Sequence, residues 1–224
     1  MLTLEGPLPA WDATRARAEV APLIAWLIAA IRRHGVEVAS LERLHERADA
    51  ATALELSRTL SFSLSVGEGK RLVHALLAAT LPRLPWRELA VQTVPHVRVL
   101  VPHDTIAPVP PHADHDIGHA PFERNLWFAL TDALGSRALR LTRFSESMHL
   151  LAARDGPLFS PTLALPHAEA RVGEVLLFTP LHVHAAQVVR EDATRVSMDL
   201  RIAPLETVRR RALKTFVPHV EAGQ

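Results

Sequence analysis

Apolar positions in the first ninety residues recur at helical spacing, whereas those beyond Trp86 alternate. From Asp12 to His34, Val20, Leu23, Leu27 and Ile31 fall three or four apart, which lays them along one helix face. Asp12 is placed to cap that helix and Gly35 to end it. A second helix is expected after Ser40, with Leu41, Leu44, Ala48 and Ala51 inward, fading near Leu60. Ser65 and Glu68 have capping-box spacing ahead of a third, KRLVHALLAAT (70–80), which Pro82 and Pro85 stop.

After Trp86 the period changes to two. VQTVPHVRVLV (91–101) alternates as a strand, and DTIAPVPPH (104–112) is proline-rich and irregular. NLWFALT (125–131) sets Asn125, Trp127 and Thr131 on one face and Leu126, Phe128 and Leu130 on the other. ALRLTRFS (138–145), EVLLFTPLHVHAAQVV (174–189) and TRVSMDLRI (194–202) continue the series. Short strands between Gly and Pro turns suggest a sandwich or jelly roll. The expected fold is α+β, an antiparallel barrel buttressed by helices. With no repeat or flexible linker, residues 1–224 read as a single domain: a mostly helical buttress (1–90), a barrel core (91–204) and a C-terminal tail (205–224).

Composition narrows the chemistry. Twenty-five basic residues against 24 acidic give a net charge of +1, which argues against nucleic acid held by bulk electrostatics. The absence of cysteine removes disulfides, zinc ribbons, iron–sulfur clusters and thiol nucleophiles, so a metal would be held by His, Asp or Glu. The longest oily stretch, residues 20–31, is too short to span a bilayer and contains Pro22. No secretory leader is evident, so a cytoplasmic protein without a membrane partner is expected. Ten of the 13 histidines lie beyond residue 95, which points to chemistry in the strand-rich part.

There, HADHDIGH (112–119) packs three histidines and two aspartates into eight positions. On an extended backbone His112 and Asp114 leave the same face. A lone H-x-D is expected by chance in a chain this rich in histidine, so it acquires meaning only from its order with residues downstream. His182 and His184 lie beyond a β-rich interval, and Arg195 and Ser197 share a strand face with Asp199 and Arg201. Two imidazoles and one carboxylate form the facial ligand set of non-haem iron(II) sites with open positions. A bidentate keto acid on such a metal would leave a distal carboxylate, which a guanidinium fork with a hydroxyl beside it suits.

The run PHADHDIGHAPFERNLWFALTDALGS (111–136), with GEVLLFTPLHVHAAQ (173–187) and TRVSMDLRI, resembles the iron(II)/2-oxoglutarate-dependent dioxygenases. It is most similar to the phytanoyl-CoA dioxygenase-like superfamily, in its streptomycin-biosynthesis-type branch. The resemblance covers roughly residues 91–204 and implies a double-stranded β-helix of the cupin-like jelly-roll kind. It further implies iron(II), O2 and 2-oxoglutarate as co-substrate, with release of succinate and carbon dioxide. His112, Asp114 and His184 match the catalytic iron ligands, Arg195 and Ser197 the pair that holds 2-oxoglutarate, and Asn125 a polar position facing the co-substrate. Where the family usually shows Leu-His-Gly, this chain has LHVHAA. Ten residues separate His184 from Arg195, as in the family pattern, against twelve for His182. His182 is left as pocket lining or surface.

His115, Asp116 and His119 read as a polar loop at the barrel mouth rather than a second metal site, with His119 in reach of a substrate. Arg98, Arg143 and Trp127 are further candidates to line a small-molecule site, beside Arg140 and His149. Basic side chains near the mouth favour a substrate carrying a carboxylate. Hydroxylation of a small polar metabolite, such as an amino acid or natural-product intermediate, is the expected reaction. A cupin-like isomerase or epimerase without 2-oxoglutarate, a silent binding barrel, and a zinc protein using His182 and His184 stand as alternatives.

Overall fold

Two antiparallel sheets and a layer of helices build the protein, which the computed structural model describes at residues 13–80, 88–102, 109–153, 159–160, 162–211, 213 and 215–218. In chain order the elements are β1 (Thr14–Arg17), α1 (Ala21–Arg33), α2 (Ala50–Ser63), α3 (Gly67–Thr80), β2 (Leu89–Gln92), β3 (His96–Leu100) and β4 (Arg124–Ala129). Beyond these come β5 (Leu139–Leu141), α4 (Phe144–Ala153), β6 (His167–Ala168), β7 (Glu174–Phe178), β8 (His184–Ala185), β9 (Arg195–Pro204), α5 (Leu205–Arg211) and β10 (Phe216–Pro218). The architecture is α+β, as expected. Among the described residues no helix is long and apolar enough to cross a membrane.

The large sheet has the order β1-β7-β4-β9-β2-β10, and β9 is its axis. One edge of β9 pairs with β4 from Arg124↔Ile202 to Ala129↔Ser197. Its other edge is shared by β2 near Pro204 and by β3 from His96↔Asp199 to Leu100↔Arg195. The small sheet runs β6-β5-β8. Both faces of the large sheet are covered, which is why β4 is buried at all six positions. Leu126 and Phe128 join Val196, Met198, Leu200 and Ile202 against the helices, in a cluster that includes Leu27, Ile31, Leu60 and Leu77. Trp127 and Ala129 face the other way, with Leu139, Leu141, Leu176 and Phe178. Each large aliphatic side chain fully withdrawn from water contributes about 1.5–3 kcal/mol, so the helix-facing layer supplies most of the driving force.

Several elements depart from the sequence expectation for identifiable reasons. The first helix begins at Ala21, because Thr14–Arg17 is an edge strand paired with β7. Pro22 lies in the first turn of α1, where a missing N–H breaks no helical hydrogen bond. The helix expected from Ser40 is divided into a 3-10 turn (Leu41–Glu46) and α2. Asp49 makes the division: its carboxylate accepts from the Thr52 amide at 2.8 Å, a cap that stabilises a helix start rather than an interior. The 91–101 run splits into β2 and β3, and ALRLTRFS leaves its strand after Leu141 to enter α4. The 205–224 segment contributes α5, and β10 pairs with β2. The Asp12 cap and the stop at Pro82 and Pro85 lie outside the described residues.

Helix α2 also closes a sheet edge. The Val99 amide donates to Ser57 Oγ at 3.0 Å and the Val97 amide to Ser61 Oγ at 2.8 Å. Two strand donors that would otherwise be buried without partners are satisfied by hydroxyls one helical turn apart. This fixes β3, and with it the inner-face Arg98. At Gly69 an added Cβ would collide with the Ser63 carbonyl, so the close approach of α3 to the end of α2 requires glycine.

Candidate metal centre

The inner face of the large sheet and the strands β5 and β8 enclose a cavity lined by His112, Asp114, His184, Arg98, Asn125, Trp127, Arg195, Asp199 and Arg201. The backbone brings the two histidines together. The His112 amide donates to the His184 carbonyl at 3.0 Å and the His184 amide to the His112 carbonyl at 2.9 Å, an antiparallel bridge. The ring centroids lie 4.2 Å apart. Asp114 is not on a strand. It begins a 3-10 turn (Asp114–Ile117) that closes at Gly118 with φ of +103°, a conformation suited to glycine. The turn leaves Asp114 almost fully buried beside the rings and carries His115 and Asp116 away.

One ligand atom from each of His112, Asp114 and His184 lies within 4.8 Å of the others. His112 Nε2 is 3.4 Å and His184 Nε2 3.9 Å from Asp114 Oδ1. The remaining atoms of the three are committed elsewhere. His112 Nδ1 faces the Pro110 carbonyl at 2.9 Å and His184 Nδ1 the His182 carbonyl at 3.0 Å. A carbonyl only accepts, so each Nδ1 carries a proton, and in the neutral ring each Nε2 presents a lone pair. Asp114 Oδ2 accepts from Asn125 Nδ2 at 2.7 Å and from Arg201 Nη2 at 2.8 Å. Outer-shell bonds of this kind orient metal ligands and tune their basicity.

The electrostatics agree. Burial pushes the Asp114 carboxyl up, but the hydrogen bonds from His112 and Arg201 and the Arg201 charge outweigh it and hold the group well below the ordinary carboxylate range. Burial lowers the His184 imidazole despite the neighbouring Asp114 charge, keeping it neutral. At His112 burial also acts downward, yet the bonds to Asp114 and Pro110 raise it above the ordinary imidazole value. Once His112 gives up its proton, one anionic and two neutral donors in a half-enclosed pocket suit a divalent metal of borderline character.

Behind the triad stand two inner-face groups of β9. Arg195 is 1% exposed, and burial pushes its guanidinium down to about 10. Its Nη1 reaches the Arg137 carbonyl at 3.4 Å, and it lies 5.9 Å from the Trp127 ring. Its Nε has no partner among the described residues, and neither does Ser197 Oγ. Donors left open in this way carry a burial cost that an incoming acceptor would relieve.

The other sequence candidates divide. Trp127 and Arg98 line the cavity, Arg98 through an ion pair with Asp199 at 2.6 Å. Asn125 faces the cavity too, with its amide nitrogen on Asp114 and its Oδ1 without a partner among the described residues. Arg143 is exposed at the entry to α4 and outside the cavity lining, as is exposed His149. His119 donates toward Glu123 at 2.9 Å, and His115 Nδ1 faces the His119 carbonyl at 3.0 Å, so that loop is held by its own residues. No second cluster of three metal-ligating groups occurs among the described residues. His182 is neither pocket lining nor surface: it is 0% exposed, with Nδ1 on Thr179 at 3.0 Å and its ring beside Phe144 and Phe178. The turn at 179–182 rotates it inward while its carbonyl serves His184. Strand parity alone puts Arg201 on the inner face; its contact with Asp114 needs the fold.

No family model matches the chain. The streptomycin biosynthesis protein StrG of Streptomyces griseus is 30% identical over 136 residues, which are 60% of this chain and 54% of that protein. The chain therefore spans about half the length of this curated relative. Among solved structures, the non-haem α-ketoglutarate-dependent epimerase SnoN from nogalamycin biosynthesis superposes with a TM-score of 0.52 at 20% identity, covering 86% of this chain and 79% of that one. The α-ketoglutarate-dependent carbocyclase SnoK from the same biosynthesis gives 0.50 at 14% identity, covering 93% and 92%. The chain is thus similar over 136 residues to a streptomycin-biosynthesis protein and shares the fold of these two enzymes.

Proposed function

We propose that this chain is an iron(II)- and 2-oxoglutarate-dependent oxygenase built on a double-stranded β-helix, acting on a small polar metabolite such as an amino acid or natural-product intermediate. The observation that carries the reading is the convergence of three free ligand atoms in a cavity that Arg195 also lines, its buried Nε without a partner among the described residues and Ser197 Oγ equally open on the same strand face. A metal alone would explain the triad. It would not explain the open Nε of Arg195 and hydroxyl of Ser197 on the neighbouring strand face, which a dicarboxylate would satisfy.

In this reading His112, Asp114 and His184 hold iron(II), and Arg195 with Ser197 receives the far carboxylate of 2-oxoglutarate. Bound there, the metal and co-substrate would, with O2 as the oxidant consumed, supply the power to oxidise a C–H bond, one oxygen atom ending in succinate as carbon dioxide leaves. The protein orients and shields. Carbonyls at Pro110 and His182 fix both imidazole tautomers. Trp127, Leu139 and Phe178 line the cavity with apolar surface, limiting water and strengthening the Arg195–carboxylate attraction. Hydroxylation is the proposed outcome, and the product's mass distinguishes it: gain of one oxygen, against loss of two hydrogens for desaturation or cyclisation and no change for stereoinversion.

Succinate formation on aerating protein loaded anaerobically with iron(II) and 2-oxoglutarate tests the assignment. Native protein is expected to release succinate and Asp114→Ala none. Full turnover in that variant would remove Asp114 from the ligand set. A native protein that binds iron but neither binds nor consumes 2-oxoglutarate would leave a metal-dependent isomerase in its place.

A further inference from the structure

We propose that Arg201, braced by Gln92, is a positioning residue that restricts Asp114 to a single metal-binding oxygen. The inference rests on the metal centre described above. Each carboxylate oxygen has about two lone-pair directions. On Asp114 Oδ2 both are used, one by Asn125 Nδ2 at 2.7 Å and one by Arg201 Nη2 at 2.8 Å. Oδ1 is the oxygen that faces His112 Nε2 and His184 Nε2. A carboxylate whose second oxygen is saturated binds a cation through one atom, and a coordination position remains for a chelating ligand.

Arg201 is itself held. Its backbone amide donates to Gln92 Oε1 at 3.2 Å and its Nη1 approaches the same oxygen at 3.4 Å. Both are donors, so the Gln92 amide must present oxygen to Arg201 and nitrogen to His96 Nε2, 3.2 Å away. The β2–β3 corner thus sets the guanidinium, which sets the carboxylate. Asn125 alone would leave one lone pair of Oδ2 free to close onto the metal. Asn125 and Arg201 pair across β4 and β9, so the two clamps are delivered by one rung of the sheet.

The test counts metal-bound waters, using manganese(II) as the probe and the paramagnetic relaxation of water protons as the readout, with no co-substrate present. Arg201→Met is expected to keep the fold and the metal while losing one coordinated water, because Oδ2 takes that position. Arg201→Lys restores a donor and is expected to restore the native count. In a second arm the dissociation constant for 2-oxoglutarate rises by roughly tenfold in Arg201→Met, within the range for outer-shell changes. A merely structural arginine would weaken manganese and 2-oxoglutarate together and leave the water count alone. Should Arg201→Met fail to hold manganese, Gln92→Leu decides, since it loosens the guanidinium without removing it and is expected to lower the count. A native count in whichever variant binds metal overturns the proposal. Failure of native protein to bind 2-oxoglutarate would overturn the oxygenase reading and leave the water count to judge Arg201.

Discussion

The two faces of β9 carry opposite chemistry on one backbone. Toward the helices, Val196, Met198, Leu200 and Ile202 are apolar and packed into the main core. Toward the small sheet, Arg195, Ser197, Asp199 and Arg201 include buried groups whose Arg195 Nε, Ser197 Oγ and Arg201 Nε have no partner among the described residues. The first face gains stability from every side chain. The second retains polar groups that an apolar set of the same volume would improve upon, as sites shaped for a ligand do. The sharpest way to break the contrast is Leu200→Ala. Leu200 is 1% exposed, and its truncation is expected to lower the unfolding free energy by about 2–5 kcal/mol in denaturant titration, with metal affinity unchanged. A comparable loss of metal affinity would mean that the faces are not independent.

Arg195→Met tests the other face. Removing a buried, poorly compensated charge is expected to leave the denaturation midpoint where it is or raise it. Co-substrate affinity, measured by titrating 2-oxoglutarate into the anaerobic iron form, is expected to fall roughly 10- to 100-fold. Charged hydrogen bonds of about 1.5–3 kcal/mol set that range. A drop in stability like that of Leu200→Ala, without loss of affinity, would make Arg195 a structural residue.

This contrast is legible in the sequence itself, because strand parity needs only the backbone period. The same parity separates Asn125 and Trp127 from Leu126 and Phe128, and the structure sends Trp127 and the Leu126–Phe128 pair to opposite clusters. The gathering of His112, Asp114 and His184 is legible too, although Asp114 arrives by a 3-10 turn rather than along a strand. Features that stay hidden depend on partners distant in sequence. Thr14–Arg17 becomes a strand only because β7 offers an edge, and Ser57 and Ser61 cover β3 only after α2 docks. His182 and His184 share parity and composition; a tight turn, invisible to periodicity, buries one and turns the other to the site. Arg201 and Gln92 gain their roles from pairings more than one hundred positions apart.

A pH titration of metal binding sharpens the inner-face picture next. In the metal-free protein Asp114 is ionised throughout the neutral range and burial keeps His184 neutral, so His112, raised above its ordinary value, is the group that competes with the metal. Below the His112 value each metal bound displaces one proton, and affinity is expected to fall about tenfold per pH unit. Above it, affinity levels off. Isothermal titration across buffers of different ionisation enthalpy counts the proton. Release of two would place His184 among the protonated groups and remove burial as its controlling influence.

The smallest expected effect belongs to Ser197→Ala. Ser197 is 0% exposed and stands opposite Ala129 on β4 and Arg98 on β3, so its hydroxyl borders a small side chain and a paired cation. With no partner for Oγ among the described residues, the hydroxyl gains nothing in the ligand-free protein, and its removal is expected to leave stability level or slightly higher. If it donates to the same carboxylate as Arg195, the variant loses one hydrogen bond of about 0.5–1.5 kcal/mol, and the 2-oxoglutarate dissociation constant rises roughly two- to tenfold. Combining it with Arg195→Met adds the decisive arm. Two donors sharing one carboxylate are expected to couple, so the double variant should lose less affinity than the two single losses combined. Strict additivity would place Ser197 outside the carboxylate subsite and leave Arg195 to hold it alone.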